Sequence, residues 1–116
     1  MYPDPLLEET INRFQAFERA GADVLFAPGL PDLASVPAVC SAVSKPVNFM
    51  VGIKGKSFPV AELAAAGVRR ISLATSLYRA AMTGMLDAAR EVLDAGQFGF
   101  VNRCLTTPEL YDLMRI

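Results

Sequence analysis

The sequence contains no histidine and no tryptophan. Without histidine the chain loses the commonest general base near neutral pH and the commonest nitrogen ligand for metals. Any chemistry must rest on carboxylates, Lys, Tyr, Ser, Thr, Cys or a borrowed metal. Cysteine is scarce: Cys40 and Cys104 lie far apart and match no zinc spacing. Two reduced thiols in a cytoplasmic protein are the simple reading. No apolar run approaches the ~20 residues of a membrane-spanning helix. The opening MYPDPLLEET has neither the basic flank nor the apolar centre of a secretion signal. A dominant charge is missing too. Eleven Lys and Arg oppose twelve Asp and Glu, for a net charge of -1. With no basic block and no acidic tail, neither a nucleic acid nor a membrane surface is an expected partner.

What is present is apolar. The chain is 53% hydrophobic and 20% charged, which favours a packed globule over disorder. Its 116 residues suffice for one domain, expected over 1–116. The punctuation repeats: a helical stretch ends in Gly, a short apolar run follows, then a Gly- or Pro-containing loop.

The first helix is expected from Pro5 to Arg19 or Ala20. Asp4 can cap it, and Pro5 suits the first helical position because its missing N–H would be unpaired there. Leu7, Ile11, Phe14 and Phe17 share one face. Gly21 ends it. Residues 23–27, 47–51 and 70–74 read as strands. The first has no polar alternation, which suits a parallel strand buried on both faces. Between them, Asp32 or Ser35 can cap a helix reaching about Val43, and Pro59 to Ala66 form a shorter one. A long helix runs from Ser76 to Ala95, stopped by Gly96. A last one runs from Thr107, as cap, to about Arg115.

Strands alternating with helices predict a parallel α/β sheet joined by crossovers. The spacing of about 22 to 25 residues is short for a doubly wound sheet and typical of barrel units. The expected fold is a partial TIM-type (β/α)8 barrel with about three β/α units and an extra C-terminal helix. A complete barrel takes ~250 residues, so three strands cannot close one.

The stretch PDPLLEETINRFQAFERAGADVLFAPGL resembles the isocitrate lyase / phosphoenolpyruvate mutase family, whose sixth strand is introduced by Gly-Ala-Asp. KPVNFMV is similar to that family's seventh strand. AELAAAGVRRISLATSLYRAA is similar to its seventh helix, eighth strand and the start of its eighth helix. The resemblance covers nearly the whole chain. It implies Mg²⁺-assisted making or breaking of C–C or P–C bonds in small α-oxo or α-hydroxy carboxylates. There a metal and cationic groups stabilise an enolate-like anion. It also implies that the metal-binding Asp cluster and the catalytic loop belong to the half of the barrel this chain does not match. No catalytic residue, metal ligand or cofactor of its own is therefore expected here, with Mg²⁺ implied for a full-length member.

The resemblance locates the remaining substrate positions. Gly29 follows Pro28 where many members carry Glu, Met50 falls where some carry Asn, and Ile53 falls on a loop Glu. Ala74 and Thr75 match positions whose backbone lies near substrate. Gly29, Gly52 and Lys54 fall on loops of the catalytic face. In the family the eighth helix commonly packs on a neighbouring subunit. Here Leu77, Ala81, Met85, Ala88, Ala89, Val92 and Leu93 could offer a broad apolar face for a homo-oligomer.

From the residues alone, Asn48 is the one polar side chain within its strand. It can serve as a substrate-binding amide or as a buried amide satisfying its neighbours. Ser72 reads as filling, and Arg69 and Arg70 as surface charges. Gly52-Ile-Lys-Gly-Lys-Ser57 superficially resembles a phosphate cradle but lacks the GxxxxGK[ST] spacing. Three functions stay open: a truncated family member inactive alone, an interaction module that completes its barrel with itself or a partner, and an enzyme rebuilt on Asn48, Lys54 and Thr75.

Overall fold

The computed structural model describes residues 5–115. The expected cap Asp4 lies outside them. Two compact units divide the chain, Met1–Leu77 and Tyr78–Ile116.

The first unit carries α1 (Pro5–Arg19), β1 (Leu25–Phe26), α2 (Ser35–Ser41), β2 (Val47–Met50), α3 (Val60–Ala65) and β3 (Arg70–Ser72). The three strands form one parallel sheet in sequence order. This is the expected partial barrel. The strands are shorter than the ranges expected for them: β1 keeps two residues, β2 four and β3 three. Leu25 pairs with Val47, and Asn48 with Arg70.

Side chains of a strand alternate between faces. Leu25, Val47 and Phe49 point to one side, where they join Phe14 of α1, Val36 and Val39 of α2 and Leu63 of α3 in a buried cluster. Phe26, Asn48, Arg70 and Ser72 therefore occupy the other face, the inner wall of a closed barrel. Phe26 is 47% exposed there. Helices α1, α2 and α3 cover one face of the sheet.

Local chemistry explains the turns. At the start of α2, Asp32 Oδ1 accepts from the Ser35 backbone N–H at 2.8 Å and from the Ser35 hydroxyl at 2.8 Å. These bonds hold the Asp32 carboxyl below its usual range, with the hydroxyl as the larger cause. Gly67 ends α3 at φ +101°, and a Cβ there would meet the Cys40 Cβ at 2.8 Å, so only glycine lets α3 turn this close to α2. Glu18, near the end of α1, accepts at Oε1 from the backbone N–H groups of Ser44 (2.9 Å) and Lys45 (3.1 Å) and from the Ser44 hydroxyl. One carboxylate thus pins the entry to β2.

The second unit holds most of α4 (Ser76–Arg90). A single π-helical turn follows at Glu91–Ala95, closed by Gly96 at φ 62°. The expected helix to Ala95 is thus α-helical only to Arg90. A 3-10 turn spans Gly99–Arg103. Glu91 accepts from the Phe100 N–H at 3.3 Å and from the Arg103 guanidinium at 3.4 Å. In α5 (Thr107–Met114) the cap is Thr106, one residue earlier than expected. Thr106 and Glu109 form a reciprocal capping box, for which Thr107 has the wrong offset to the glutamate. No residue of α4 or α5 is buried.

Two measurements test this account. Leu63 is fully buried, so Leu63→Ala should lower unfolding stability by about 2–5 kcal/mol in urea denaturation. The carboxyl of Glu18 is held below its ordinary value of 4.5, chiefly by the Ser44 hydroxyl and then by the Ser44 N–H. Its folded value lies below its unfolded one, so the stability it adds is full above about pH 4.5 and is lost as pH falls through the folded value. Glu18→Gln should flatten the acid side of a Tm-versus-pH profile and leave the neutral side parallel to wild type.

Candidate functional site

In barrels of this type the carboxyl ends of the strands carry the chemistry. Here that face is built by three loops, one after each strand. After β1 the chain runs through Ala27-Pro28-Gly29, with Gly29 at φ +88°. A cleft of about 300 Å³ opens there, lined in part by Thr10, Pro28, Gly29, Leu30 and Lys56. Lys56, rather than Lys54, reaches this cleft; Lys54 is exposed in the loop.

The loop after β2 folds on itself. The Gly52 N–H donates to the Ser57 hydroxyl at 2.9 Å, and that hydroxyl donates to the Ile53 carbonyl at 3.0 Å. Gly52 has φ +117°, and a Cβ there would stand 3.3 Å from the Leu73 carbonyl oxygen and 3.4 Å from the Ser76 Cβ. Glycine thus lets the loops after β2 and β3 touch. The Gly52-Ile-Lys-Gly-Lys-Ser57 loop is a closed turn and has no place to cradle phosphate through its Gly52 amide.

After β3, Ala74 takes φ +47°, the one non-glycine in the left-handed region among the described residues. Such a conformation costs a residue with a Cβ about 1–2 kcal/mol. Ala74 and Thr75 are exposed, and Ser76 closes the turn through its N–H to the Leu73 carbonyl at 3.0 Å.

Asn48 sits deeper, on the inner face, and is 1% exposed. Its Nδ2 donates to the Ser72 hydroxyl at 3.0 Å, and its Oδ1 accepts from Arg70 Nη1 at 2.9 Å. Its partners are side chains of the neighbouring strand, not backbone groups. Arg70 is exposed, as expected of a surface charge, and is also bonded to Asn48 across the inner wall. Its signal was available: Asn48 and Arg70 are 22 residues apart, and a constant offset of that size aligns successive strands. No hydrogen bond links Lys54 or Thr75 to Asn48 among the described residues. The three residues of a rebuilt catalytic site are not joined.

Mg²⁺ takes carboxylate and carbonyl oxygens in near-octahedral geometry. Among the described residues no three His, Cys, Asp or Glu side chains gather closely enough to hold a metal ion. The described residues do not fit a Mg²⁺ site.

The family model described as phosphoenolpyruvate phosphomutase matches residues 2–93. The chain belongs to the phosphoenolpyruvate mutase family. A candidate lyase/mutase from Burkholderia cenocepacia J2315 is 40% identical over 91% of the chain, with a TM-score of 0.85. A candidate phosphonomutase from the same organism is 36% identical over 78% of the chain, with a TM-score of 0.67. An oxaloacetate acetylhydrolase solved with the product oxalate shares the fold at 24% identity and a TM-score of 0.77. The chain spans 38%, 36% and 37% of these three proteins. No curated protein matches it. Neither these likenesses nor the geometry assigns a role to Asn48, Ala74, Thr75, Gly29, Gly52 or Lys54.

The left-handed residue gives a test. Ala74→Gly removes about 1–2 kcal/mol of strain and costs about 0.4–1 kcal/mol through a freer unfolded chain. Urea denaturation should show a small net gain, and Ala74→Val a clear loss. Equal stability of the glycine and valine variants would remove the strained turn from the account.

Proposed function

We propose that this chain is the last three β/α units of a phosphoenolpyruvate mutase-type barrel and has no turnover by itself. The supporting observation is the family match over residues 2–93 in a chain that carries three strands and spans 38% of its 40%-identical relative. The reaction class, once the barrel is complete, is cleavage or formation of a C–C or P–C bond in a small α-oxo or α-hydroxy carboxylate. In that setting the exposed backbone at Ala74 and Thr75 and the cleft at Gly29 would border the substrate. The strained turn at Ala74 favours this, because left-handed non-glycine residues concentrate where backbone meets ligand. Mg²⁺, if bound, would come with the other strands and supply charge stabilisation to an enolate-like anion.

The reading includes self-association through α4. Leu77 is 68%, Met85 55% and Leu93 83% exposed. A helix this apolar and this uncovered favours a second copy as its partner. A cytoplasmic setting suits Cys40 and Cys104, both free thiols. No described helix is long and apolar enough to cross a membrane.

The test is direct. The purified chain, given Mg²⁺ and in turn oxaloacetate, methylisocitrate and phosphonopyruvate, should release no product above the uncatalysed rate. Robust turnover of any one would overturn the inactive-alone reading.

A further inference from the structure

We propose that a cleft at the amino ends of β2 and β3 binds a small organic dianion, held by Lys45 and Arg69. The cleft lies within the first unit, at the other end of the sheet from the loops that follow the strands. The inference does not rest on the reaction.

Local packing makes the space. The cleft holds about 520 Å³, within the ~300–1,000 Å³ of small-molecule sites. One wall is α2, through Pro37 and Cys40, three residues apart on one helix face. The other wall is the end of α3, through Ala65, Ala66 and Gly67. That wall carries hardly any side chain, which leaves the volume open. Val47, the first residue of β2, lies between them.

Charge sets the ligand. Lys45 and Arg69 line the cleft, and no Asp or Glu does. In a chain with twelve acids and eleven bases this is a local excess of positive charge. The sheet brings the two together. Lys45 stands just ahead of β2 and Arg69 just ahead of β3, and these strands are neighbours. The Arg69 N–H donates to the Val47 carbonyl at 3.2 Å, which fixes Arg69 at the start of β2. Glu18 is near enough to Lys45 to feel its charge, but its Oε1 already accepts from the backbone N–H groups of Ser44 and Lys45. Arg69 forms no ion pair among the described residues. A guanidinium takes carboxylate or phosphate in bidentate fashion, and an ammonium adds a compact point charge.

The ordinary reason for cations here would be the ends of α2 and α3, whose dipoles favour positive charge. Their last carbonyls are served by other donors. Gln15 Nε2 donates to the Ala42 carbonyl at 3.1 Å. The N–H groups of Gly67 and Val68 donate to the carbonyls of Ala64 and Leu63 at 3.1 and 3.0 Å. The two cationic side chains are left to a ligand, whose carbon body would rest on Pro37, Val43 and Ala65.

The whole chain carries its own reporter, because Cys40 lines the cleft and Cys104 does not. Iodoacetamide labels both thiols, and mass spectrometry of the digested protein reads each rate. Succinate presents the dianion as two carboxylates and propyl phosphate as one phosphate group; whichever protects at the lower concentration names the headgroup. At about ten times its Kd the anion should slow Cys40 labelling about tenfold and leave Cys104 unchanged. Butyrate, with one charge, should bind about tenfold more weakly. Arg69→Ala and Lys45→Ala should each weaken protection about tenfold, and Arg69→Lys less. Arg90→Ala removes the same charge from α4 and should change nothing. If Cys40 labels too slowly to follow, the Gly67 amide in NMR should shift saturably with the same anions. No protection and no Gly67 shift with either dianion overturns the proposal. So does butyrate binding as tightly as succinate, or an Arg90→Ala loss equal to that of Arg69→Ala.

Discussion

A parallel strand is fully buried only when both its faces and both its edges are covered, and here β2 alone approaches that condition. Val47, Asn48 and Phe49 are all buried in succession. Leu25 is buried while Phe26 beside it is not, and no residue of β3 reaches full burial. The gradient from β2 outward accounts for much else: the short flanking strands, the one-sided helix layer and the exposed phenylalanine on the inner wall. It is the burial pattern of a three-stranded parallel sheet with β2 at its centre.

The helix–strand beat was readable because each device that produces it is local. Gly21, Gly67 and Gly96 all take positive φ at helix ends, and Gly21 and Gly96 are legible as stops from the sequence. The third strand was legible in place but overran at its carboxyl end, because Leu73 and Ala74 are apolar and only the left-handed turn at Ala74 takes them out of it. Thr106 and Thr107 show the limit of local reading: two adjacent caps are equivalent until the reach of Glu109 decides between them.

The candidate site was less legible. Its residues could be ranked by polarity, but polarity says nothing about partners. Asn48 was a substrate amide or a buried amide until the register with β3 gave it Ser72 and Arg70. Arg70 looked like any surface charge because its neighbours are non-local. On the catalytic face the signals lie in the main chain, in Gly52 and Ala74, whose role depends on the approach of two loops distant in sequence. That approach leaves no pattern in composition or spacing.

The π-helical turn at Glu91–Ala95 has a geometric consequence for α4. Each residue of an α-helix advances about 100° around the axis, so a turn that takes in one extra residue rotates everything after it by roughly that angle. Leu77, Ala81, Met85 and Ala88 keep one phase; Val92 and Leu93 fall within the turn that breaks it. A straight partner lying along this helix would meet a stripe that veers aside near Arg90. Any surface that follows the whole apolar path must curve with it or end there.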